Sequence, residues 1–387
     1  MANVAPAGLY VIRADGGEPS TLIEREGTSM NQSPVWMPSG DVLFFISNSG
    51  GSRDIYQVRL SPSGAPAAPP LRLTSGLGVH TISLSSDGRR LAYSTIASRQ
   101  NVWSLPIPGD VPISSDGASP VTRGSQMIEA MDISSDGEWI VFDSDRAGNQ
   151  DIYKRRLDGG EPIQLTSDSA DDFHPKWSPG GEEVVFYSLR SDNRRELYKM
   201  SADGGSLHRL TNRGGAFPDW SPDGQEIAFF SPRAGEPPDI YVISREGEIE
   251  GDAPRRLTTE GGLMPKWSPD GTRIAFWEPG ALPADQLVSV VSLQSGEIER
   301  LVHLSNIESL YVTWSEDART IYYKTQQSDG ASSMWSVPAS GGEPQALVHF
   351  ADPARPSIRR EFTHDGERFY FTLTEHESDI WMMELTQ

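Results

Sequence analysis

The chain has 387 residues, no cysteine and a formal net charge of −21. Without cysteine, disulfides, thiolate catalysis and zinc–thiolate sites are excluded. The negative charge argues against binding to nucleic-acid phosphates or adsorption to anionic lipid, and favours solubility or a basic protein partner. No apolar run approaches the ~20 residues of a membrane span, so we expect no direct membrane insertion.

One short phrase recurs eight times along the chain. Its most complete copies are the W-S-P-D-G segments Trp220–Gly224 and Trp267–Gly271. Successive copies are 43 to 49 residues apart, which suits four short strands per unit, the blade of a β-propeller. The eight copies are centred on Trp36, Leu84, Ile133, Trp177, Trp220, Trp267, Trp314 and Phe362.

Residues 213–259 illustrate the strand order that each repeat predicts. An innermost strand ends at Trp220, and the following Ser-Pro-Asp-Gly forms a tight turn. Ile227–Phe230 is the second strand, Asp239–Val242 the third and Arg256–Thr258 the outermost. The third strand of the other units begins at Asp54, Asn101, Asp151, Glu196, Gln286, Ser333 and Asp379.

The two chain ends predict how the ring closes. We expect one all-β domain over residues 1–387, a propeller of eight four-stranded blades closed by strands from both termini. Residues 1–28 would supply strands to the last blade, which hides sheet edges that would otherwise aggregate. The count is one strand too high, so either Leu9–Arg13 or Ile380–Glu384 lies outside the regular blade, and the first is favoured as the surplus strand.

These phrases resemble the TolB-like propeller repeat, a relative of the WD-type repeat. Pro218–Gly224 gives its P-x-W-S-P-D-G element, Ile227–Phe229 its I-A-F element and Asp151–Tyr153 its D-I-Y element. Asp158–Gly160 and Leu165-Thr166 follow as D-G-G and L-T, and the resemblance extends over essentially the whole chain.

The resemblance implies a propeller and leaves the function open. The family includes periplasmic partners of envelope lipoproteins, sensor domains, propellers beside peptidase domains and a few polysaccharide lyases. Eight units exceed the six of the envelope protein, and we expect no N-terminal domain like that protein's. Its specific partner is therefore not carried over.

Loops that lead into innermost strands ring the mouth of a propeller channel. Three and four residues before the repeat centres, the later units are apolar, and the last unit is basic. An apolar arc beside a charged arc is typical of protein interfaces, whereas the alternative is that these side chains plug the channel. The predicted partner-binding residues are Phe217, Leu263, Met264, Leu310, Tyr311, Arg355 and Arg359.

Two patterns are weak candidates for metal binding. His80, Glu129 and His174 occupy nearly equivalent positions in consecutive units, where two imidazoles and a carboxylate would suit Zn²⁺ or Mn²⁺. The alternative is hydrogen-bonded histidines at the rim. Asp143, Asp145 and Asp151 imitate a Ca²⁺ loop, but the segment also spans the ordinary link between two strands, and we expect no cofactor.

The sequence favours a non-catalytic scaffold that docks a partner protein, including as an extrinsic subunit of a membrane complex. No nucleophile elbow, phosphate-binding glycine loop or H-E-x-x-H motif is present, so we expect no enzyme. The alternatives are a glycan lyase or hydrolase that uses His80, His174 and Arg359, and a ligand sensor. The start of the chain lacks signal-peptide features, which predicts a cytoplasmic protein if Met1 is native and a periplasmic one if a leader was removed.

Overall fold

A computed structural model describes residues 8–12, 14–24, 30–232, 238–248, 253–280, 285–327 and 329–385. Within these residues all regular elements are β-strands except one 3-10 turn at Ser115–Gly117, so the all-β prediction is confirmed. No helix in this part of the chain is long and apolar enough to cross a membrane. Two compact units are present: unit 1 is Met1–Ser98 with His376–Gln387, and unit 2 is Arg99–Glu375. The single domain over 1–387 stays a prediction.

Unit 1 contains a hairpin, a four-stranded sheet and part of a further sheet. The strands, in chain order, are β1 (Leu9–Val11), β2 (Ser20–Ile23), β3 (Asn31–Trp36), β4 (Val42–Ser47), β5 (Asp54–Arg59), β6 (Leu71–Arg72), β7 (Val79–Leu84) and the first half of β8 (Arg90–Pro106). β1 pairs with β2, strands β3 to β6 pair in sequence order, and β7 pairs with β8.

Unit 2 contains five sheets whose strands pair in sequence order, and a sixth of mixed origin. Two short strands, β9 (Ile113–Ser114) and β10 (Ser119–Pro120), precede them. The first three sheets are β11 (Met131–Ile133), β12 (Trp139–Ser144), β13 (Asp151–Arg156), β14 (Gly159–Gln164); β15 (Asp172–Trp177), β16 (Glu183–Ser191), β17 (Arg194–Ser201), β18 (His208–Arg209); and β19 (Ala216–Trp220), β20 (Glu226–Ser231), β21 (Asp239–Ser244), β22 (Arg255–Arg256).

The remaining strands complete unit 2 in the same order. They are β23 (Leu263–Trp267), β24 (Arg273–Pro279), β25 (Gln286–Ser292), β26 (Ile298–Leu304); β27 (Ile307–Trp314), β28 (Thr320–Gln327), β29 (Ser332–Pro338), β30 (Gln345–Phe350); and β31 (Phe362–His364) with β32 (Arg368–Glu384). β9 adds to β30 as a parallel strand, and the sixth sheet has the order β10-β8-β32-β31.

The six innermost strands of unit 2 contact one another in a circuit. β11, β15, β19, β23 and β27 are neighbours in succession, and β31 contacts β11. Phe362 of β31 also packs edge-on against Tyr311 of β27, with ring centroids 5.8 Å apart. The predicted count of eight blades is therefore not confirmed, because the described residues of unit 2 make this circuit with six sheets.

The N-terminal strands pair differently from the prediction. β1 and β2 pair with each other, and Leu9 and Leu22 are buried against Phe45 and Tyr56 of the adjacent sheet in unit 1. The last sheet of unit 2 is instead completed by β8 and β10. The prediction that residues 1–28 close the last blade is not met by the described part of this segment, while 1–7, 13 and 25–28 lie outside the described residues.

Two strands of 17 residues, β8 and β32, explain the different pairing. In the other sequence repeats, the link after the second strand contains residues that allow a turn, such as Gly148 with φ 121° and Asn193 with φ 57°. Residues 94–100 and 372–378 contain no Gly, Pro, Asn or Asp, so each second strand continues straight on. In unit 1, Ser98 Oγ lies 2.9 Å from His376 Nδ1, and in unit 2 Gln100 Nε2 donates to Thr374 Oγ1 at 3.0 Å.

The D-I-Y and L-T elements of the repeat are joined by hydrogen bonds. Thr258 Oγ1 donates to Asp239 Oδ1 at 2.8 Å and accepts the Ile240 N–H at 3.0 Å. This staple ties the outermost strand to the third strand, so the motif is structural. The same pair of bonds joins Thr74 to Asp54 and Ile55, Thr122 to Asn101 and Val102, Thr166 to Asp151 and Ile152, and Thr211 to Glu196 and Leu197.

Candidate partner-binding mouth of unit 2

Three residues within the innermost strands β15, β19 and β23 share an uncommon backbone conformation. His174, Phe217 and Met264 each have φ 53° and each precede a proline. In each case the strand pairing also shifts register at this point, as a β-bulge does. Non-glycine residues rarely adopt this conformation, so the surrounding structure must hold it in place.

These side chains converge and fill the channel at this level. His174, Phe217, Met264 and Tyr311 line a cavity of only about 10 Å³, which is at most the space of one water molecule. The rings of His174 and Phe217 are 3.9 Å apart. A substrate-sized space is absent from this cavity.

The predicted apolar arc is mostly packed rather than exposed. Met264, Leu310 and Tyr311 are buried, with 3%, 0% and 3% of their surface accessible, whereas Phe217 and Leu263 are half-buried. The alternative that these side chains plug the channel describes the three buried ones. Partner binding at this arc stays a prediction, with Phe217 and Leu263 as the members that retain exposed surface.

A charged rim lies beside the packed arc. Arg359 Nη2 is 2.7 Å from Glu129 Oε1, and Arg359 Nε donates to Gln100 Oε1 at 3.1 Å. Arg360 is paired with Glu361 at 3.4 Å. The side chains of Glu129, Arg359 and Arg360 are 27%, 30% and 32% exposed, so the rim combines fixed geometry with access to solvent.

Burial shifts the pKa of Glu129 on the rim and of His174 in the packed layer. His174 Nε2 lies 3.7 Å from Glu361, but burial, followed by the nearby Arg360 and lysines, lowers the pKa of His174 well below its usual value. Burial likewise raises the pKa of Glu129, against the opposing effect of Arg359. His174 is therefore a neutral ring in the packed layer and not a cation at neutral pH.

A buried lysine, Lys324, holds the basic loop before β31 in place through hydrogen bonds. Lys324 Nζ donates to Ser357 Oγ at 2.6 Å and to the carbonyl oxygen of Arg359. Arg355, on the same loop, pairs with Asp352 at 2.9 Å and lies over the Trp103 ring. The predicted residues Arg355 and Arg359 are thus held on one supported loop.

A second charged layer was missed by the sequence analysis. Directly before the repeat centres stand Asp132, Lys176, Asp219 and Lys266, which alternate in sign around the ring. Lys176 pairs with Asp132 at 2.8 Å and Lys266 with Asp219 at 2.9 Å, each across two neighbouring innermost strands. The signal is the residue directly before four of the eight repeat centres, whereas most of the predicted mouth residues lie three or four positions before a centre.

The three transition-metal candidates are divided between the two units. Glu129 and His174 belong to unit 2 and His80 to unit 1. Among the described residues no group of three His, Asp or Glu side chains is arranged to hold a metal ion. A divalent metal stays a prediction that no contact in the described residues supports.

The carboxylates of the predicted calcium loop have other partners. Asp143 is buried and accepts the N–H groups of Glu129, Ala130 and His174 at 2.7 to 3.0 Å. Asp145 accepts the Met127 N–H at 2.7 Å. Asp151 accepts the hydroxyl of Thr166, as part of the hydrogen-bonded staple of its repeat. These bonds give all three residues a structural role, and calcium binding also stays a prediction.

The four-stranded sheets, arranged in a circuit around packed innermost strands, define the class of the protein as a β-propeller. A family model described as the TolB beta propeller domain matches residues 77–217 and 170–281, together more than half of the chain. The chain belongs to this TolB beta-propeller family.

Two relatives show the range of the sequence similarity. An uncharacterized protein of Agrobacterium fabrum is 31% identical over 227 residues, which cover 54% of this chain and 74% of that protein. The Tol-Pal system protein TolB of Francisella tularensis is 26% identical over 195 residues, which cover 49% of this chain and 43% of that protein. The chain therefore spans less than half the length of this TolB relative.

A solved structure supports the fold alone. It comes from Agrobacterium tumefaciens and is described as a TolB, and it shares 19% identity with this chain at a TM-score of 0.59. The match covers 72% of this chain and 98% of the other.

Proposed function

We propose that this chain is a non-catalytic, protein-binding propeller that docks a partner at the mouth of unit 2. The mouth consists of the half-buried Phe217 and Leu263 and the charged residues Glu129, Arg359 and Arg360. The partner would add contacts to side chains that are already held in place, which limits the entropy lost on binding.

The observation that carries the proposal is a filled channel under a half-exposed charged rim. The cavity between His174, Phe217, Met264 and Tyr311 holds about 10 Å³, so a small substrate has no room at this position. A macromolecular surface needs no cavity, because it can cover the rim and pair with its charges. The lyase or hydrolase alternative would need a site elsewhere in the chain.

The names of the sequence relatives support a proposal for the kind of complex and the compartment in which this chain works. Relatives named Tol-Pal system protein TolB suggest that this chain too works in a multiprotein assembly, and we propose a membrane-associated complex to which it binds extrinsically. The same resemblance favours the periplasm over the cytoplasm as its location. These points extend from the relatives to this chain and are part of the proposal.

Photo-crosslinking in the native cells tests the docking surface. A photoreactive amino acid would be placed at Leu263 or Arg360 in the mouth, and at the exposed Arg319 in the turn after β27 as the control. We expect one defined protein adduct from both mouth positions and none from position 319. Absence of adducts at the mouth, or the same adduct at all three positions, would contradict docking there.

A further inference from the structure

A groove in unit 2 gathers four arginines on one surface. Its volume is about 590 Å³, and Arg123, Arg146, Arg155 and Arg368 line it. We call these residues and the space between them the arginine groove. The groove is formed by β8, β10 and β32 together with β13, β14 and adjoining loops, which are not the segments that form the mouth.

Three of the four guanidinium groups donate hydrogen bonds to neutral partners. Arg146 Nε and Nη2 donate to the side-chain oxygen of Gln126 at 3.0 and 2.7 Å. Arg155 Nη1 donates to the Val121 carbonyl at 2.9 Å, and Arg368 donates to Ser104 Oγ at 3.1 and 3.2 Å. These bonds orient the planar groups without neutralising them.

Within the described part of the chain, none of the four arginines has a carboxylate within salt-bridge distance. Two carboxylates do line the groove, Asp158 and Glu161. Asp158 is engaged by a different arginine, Arg156, at 3.0 and 3.1 Å, and Glu161 is exposed. The groove therefore has four guanidinium groups and two carboxylates in its lining, which leaves it with a net positive charge.

Two further features indicate that the groove is suited to an anion. Arg155 Nε is buried and has no hydrogen-bond partner, which is costly for a charged donor. The protein as a whole carries a net charge of −21, so a groove with a net positive charge differs from its average surface. Guanidinium groups recognise carboxylate and phosphate through paired, charge-assisted hydrogen bonds.

We propose that the arginine groove binds a small ligand with a multiply charged oxyanion group, either a phosphate or a cluster of carboxylates. Pocket volumes of this size accommodate a ligand larger than a single inorganic ion. Leu157 and Pro162 at the wall would contact its less polar part. This site is independent of the proposed docking function.

Calorimetric titration of the full chain with pyrophosphate and with citrate tests the proposal. Arg123→Gln and Arg368→Gln each remove a charge from the groove, and Arg213→Gln removes an exposed charge from another loop of unit 2 as the matched control. We expect each groove variant to bind about tenfold more weakly than the wild type, equivalent to about 1.4 kcal/mol. The control should bind as the wild type does.

The outcomes separate the sources of the oxyanion. Binding of pyrophosphate alone assigns a phosphate ligand, and binding of citrate alone assigns a carboxylate ligand. Binding of both supports the shared chemistry, which added salt should weaken. The proposal is overturned if neither probe binds at about 10 mM, a Kd weaker than any specific site of this charge should have, or if Arg123→Gln and Arg213→Gln weaken binding equally while both variants remain folded.

Discussion

Lys176 donates to Asp132 on the neighbouring innermost strand at 2.8 Å, and the second oxygen of Asp132 accepts the Trp177 N–H at 3.0 Å. One carboxylate therefore joins two sheets through a charge pair and a backbone bond. The arrangement recurs two sheets later, where Asp219 accepts from Lys266 Nζ at 2.9 Å and from the Trp267 N–H at 2.8 Å.

Removing one member of this buried pair should destabilise unit 2. Although burial alone would lower the pKa of Lys266, Asp219 and Tyr311 raise it above its usual value, so the ammonium stays charged. Asp219→Ala would leave that charge without its partner, and we expect a loss of about 3 to 5 kcal/mol in the free energy of unfolding. Urea denaturation of the variant and the wild type measures this loss.

The double variant Asp219→Ala/Lys266→Met provides the control for that prediction. Because it removes both charges, it should be less destabilised than the sum of the two single variants. Strictly additive effects would show that the pair makes no coupled contribution.

The hydrogen-bonded staple predicts the effect of a small change at Thr258. This residue is 1% exposed, and its hydroxyl serves both Asp239 and the Ile240 N–H. Thr258→Val keeps the shape but leaves the Ile240 N–H without its partner and removes one of several hydrogen bonds to Asp239, which should cost about 1 to 3 kcal/mol. Thr258→Ser keeps the hydroxyl and should lose less in the same denaturation experiment. Equal losses would assign the effect to packing and not to the hydrogen bonds.

Lys324 gives the protein a defined pH dependence. Burial lowers the pKa of this fully buried lysine to about 7, against the opposing effect of Glu361. An unfolded lysine titrates near 10.4, so between these values the unfolded chain binds more protons than the folded chain. The free-energy cost of burying Lys324 should therefore be largest at and below about pH 7 and fall as pH rises towards about 10.4, so that stability increases by at most about 1.4 kcal/mol per pH unit over this range.

Comparison with Lys324→Met isolates this contribution. The free energy of unfolding of the wild type minus that of the variant should increase between about pH 7 and pH 9. A difference that is constant over this range would mean that Lys324 titrates normally in the folded state.

The pairing of β8 with β32 can be tested covalently because the chain has no cysteine of its own. Ser98 Oγ and His376 Nδ1 are 2.9 Å apart in unit 1, so Ser98→Cys/His376→Cys should form a disulfide on mild oxidation. Ser98→Cys/Ile380→Cys is out of register and should remain reduced. Peptide mapping under non-reducing conditions distinguishes the two, and a disulfide in the second variant alone would contradict the pairing.

Much of the strand order was predictable because each repeat contains its own turn and pairing signals. The S-P-D-G segment places Gly224 at φ 68°, and Asp239 with Thr258 marks the third and outermost strands. Such signals act between residues close in sequence, and the predicted elements of this unit correspond to β19 to β22.

The exchange of strands between the second and last repeats was harder to predict. The third-strand cues at Asn101 and Asp379 were recognised correctly, but a cue does not specify the sheet that its strand joins. The sequence shows that 94–100 and 372–378 lack turn-forming residues. This lack is recognised as unusual only when these segments are compared with the other repeats. The burial of Leu9 and Leu22 beside Phe45 depends on contacts distant in sequence, which the repeat pattern does not contain.

The sequence predicted the position of the candidate mouth better than the burial of its residues. Phe217, Met264 and Tyr311 do converge on one place, as equivalent positions in a repeat should. The sequence left the burial of Met264 and Tyr311 open as the alternative in which these side chains plug the channel, because their burial depends on the six-sheet circuit and, for Met264, on its left-handed backbone. The loop with Arg359 was found from its charge, whereas its support by Lys324 required the tertiary structure.

The most direct test of the docking function is affinity capture of the tagged chain from its native cells in mild detergent, with quantitative mass spectrometry. The comparison includes the wild type, the mouth variants Leu263→Asp and Arg360→Glu, and Arg319→Glu as a control. We predict one stoichiometric partner that the wild type and the control retain and that both folded mouth variants lose. A chain captured alone, or a partner retained equally by all four proteins, would contradict docking at the mouth of unit 2.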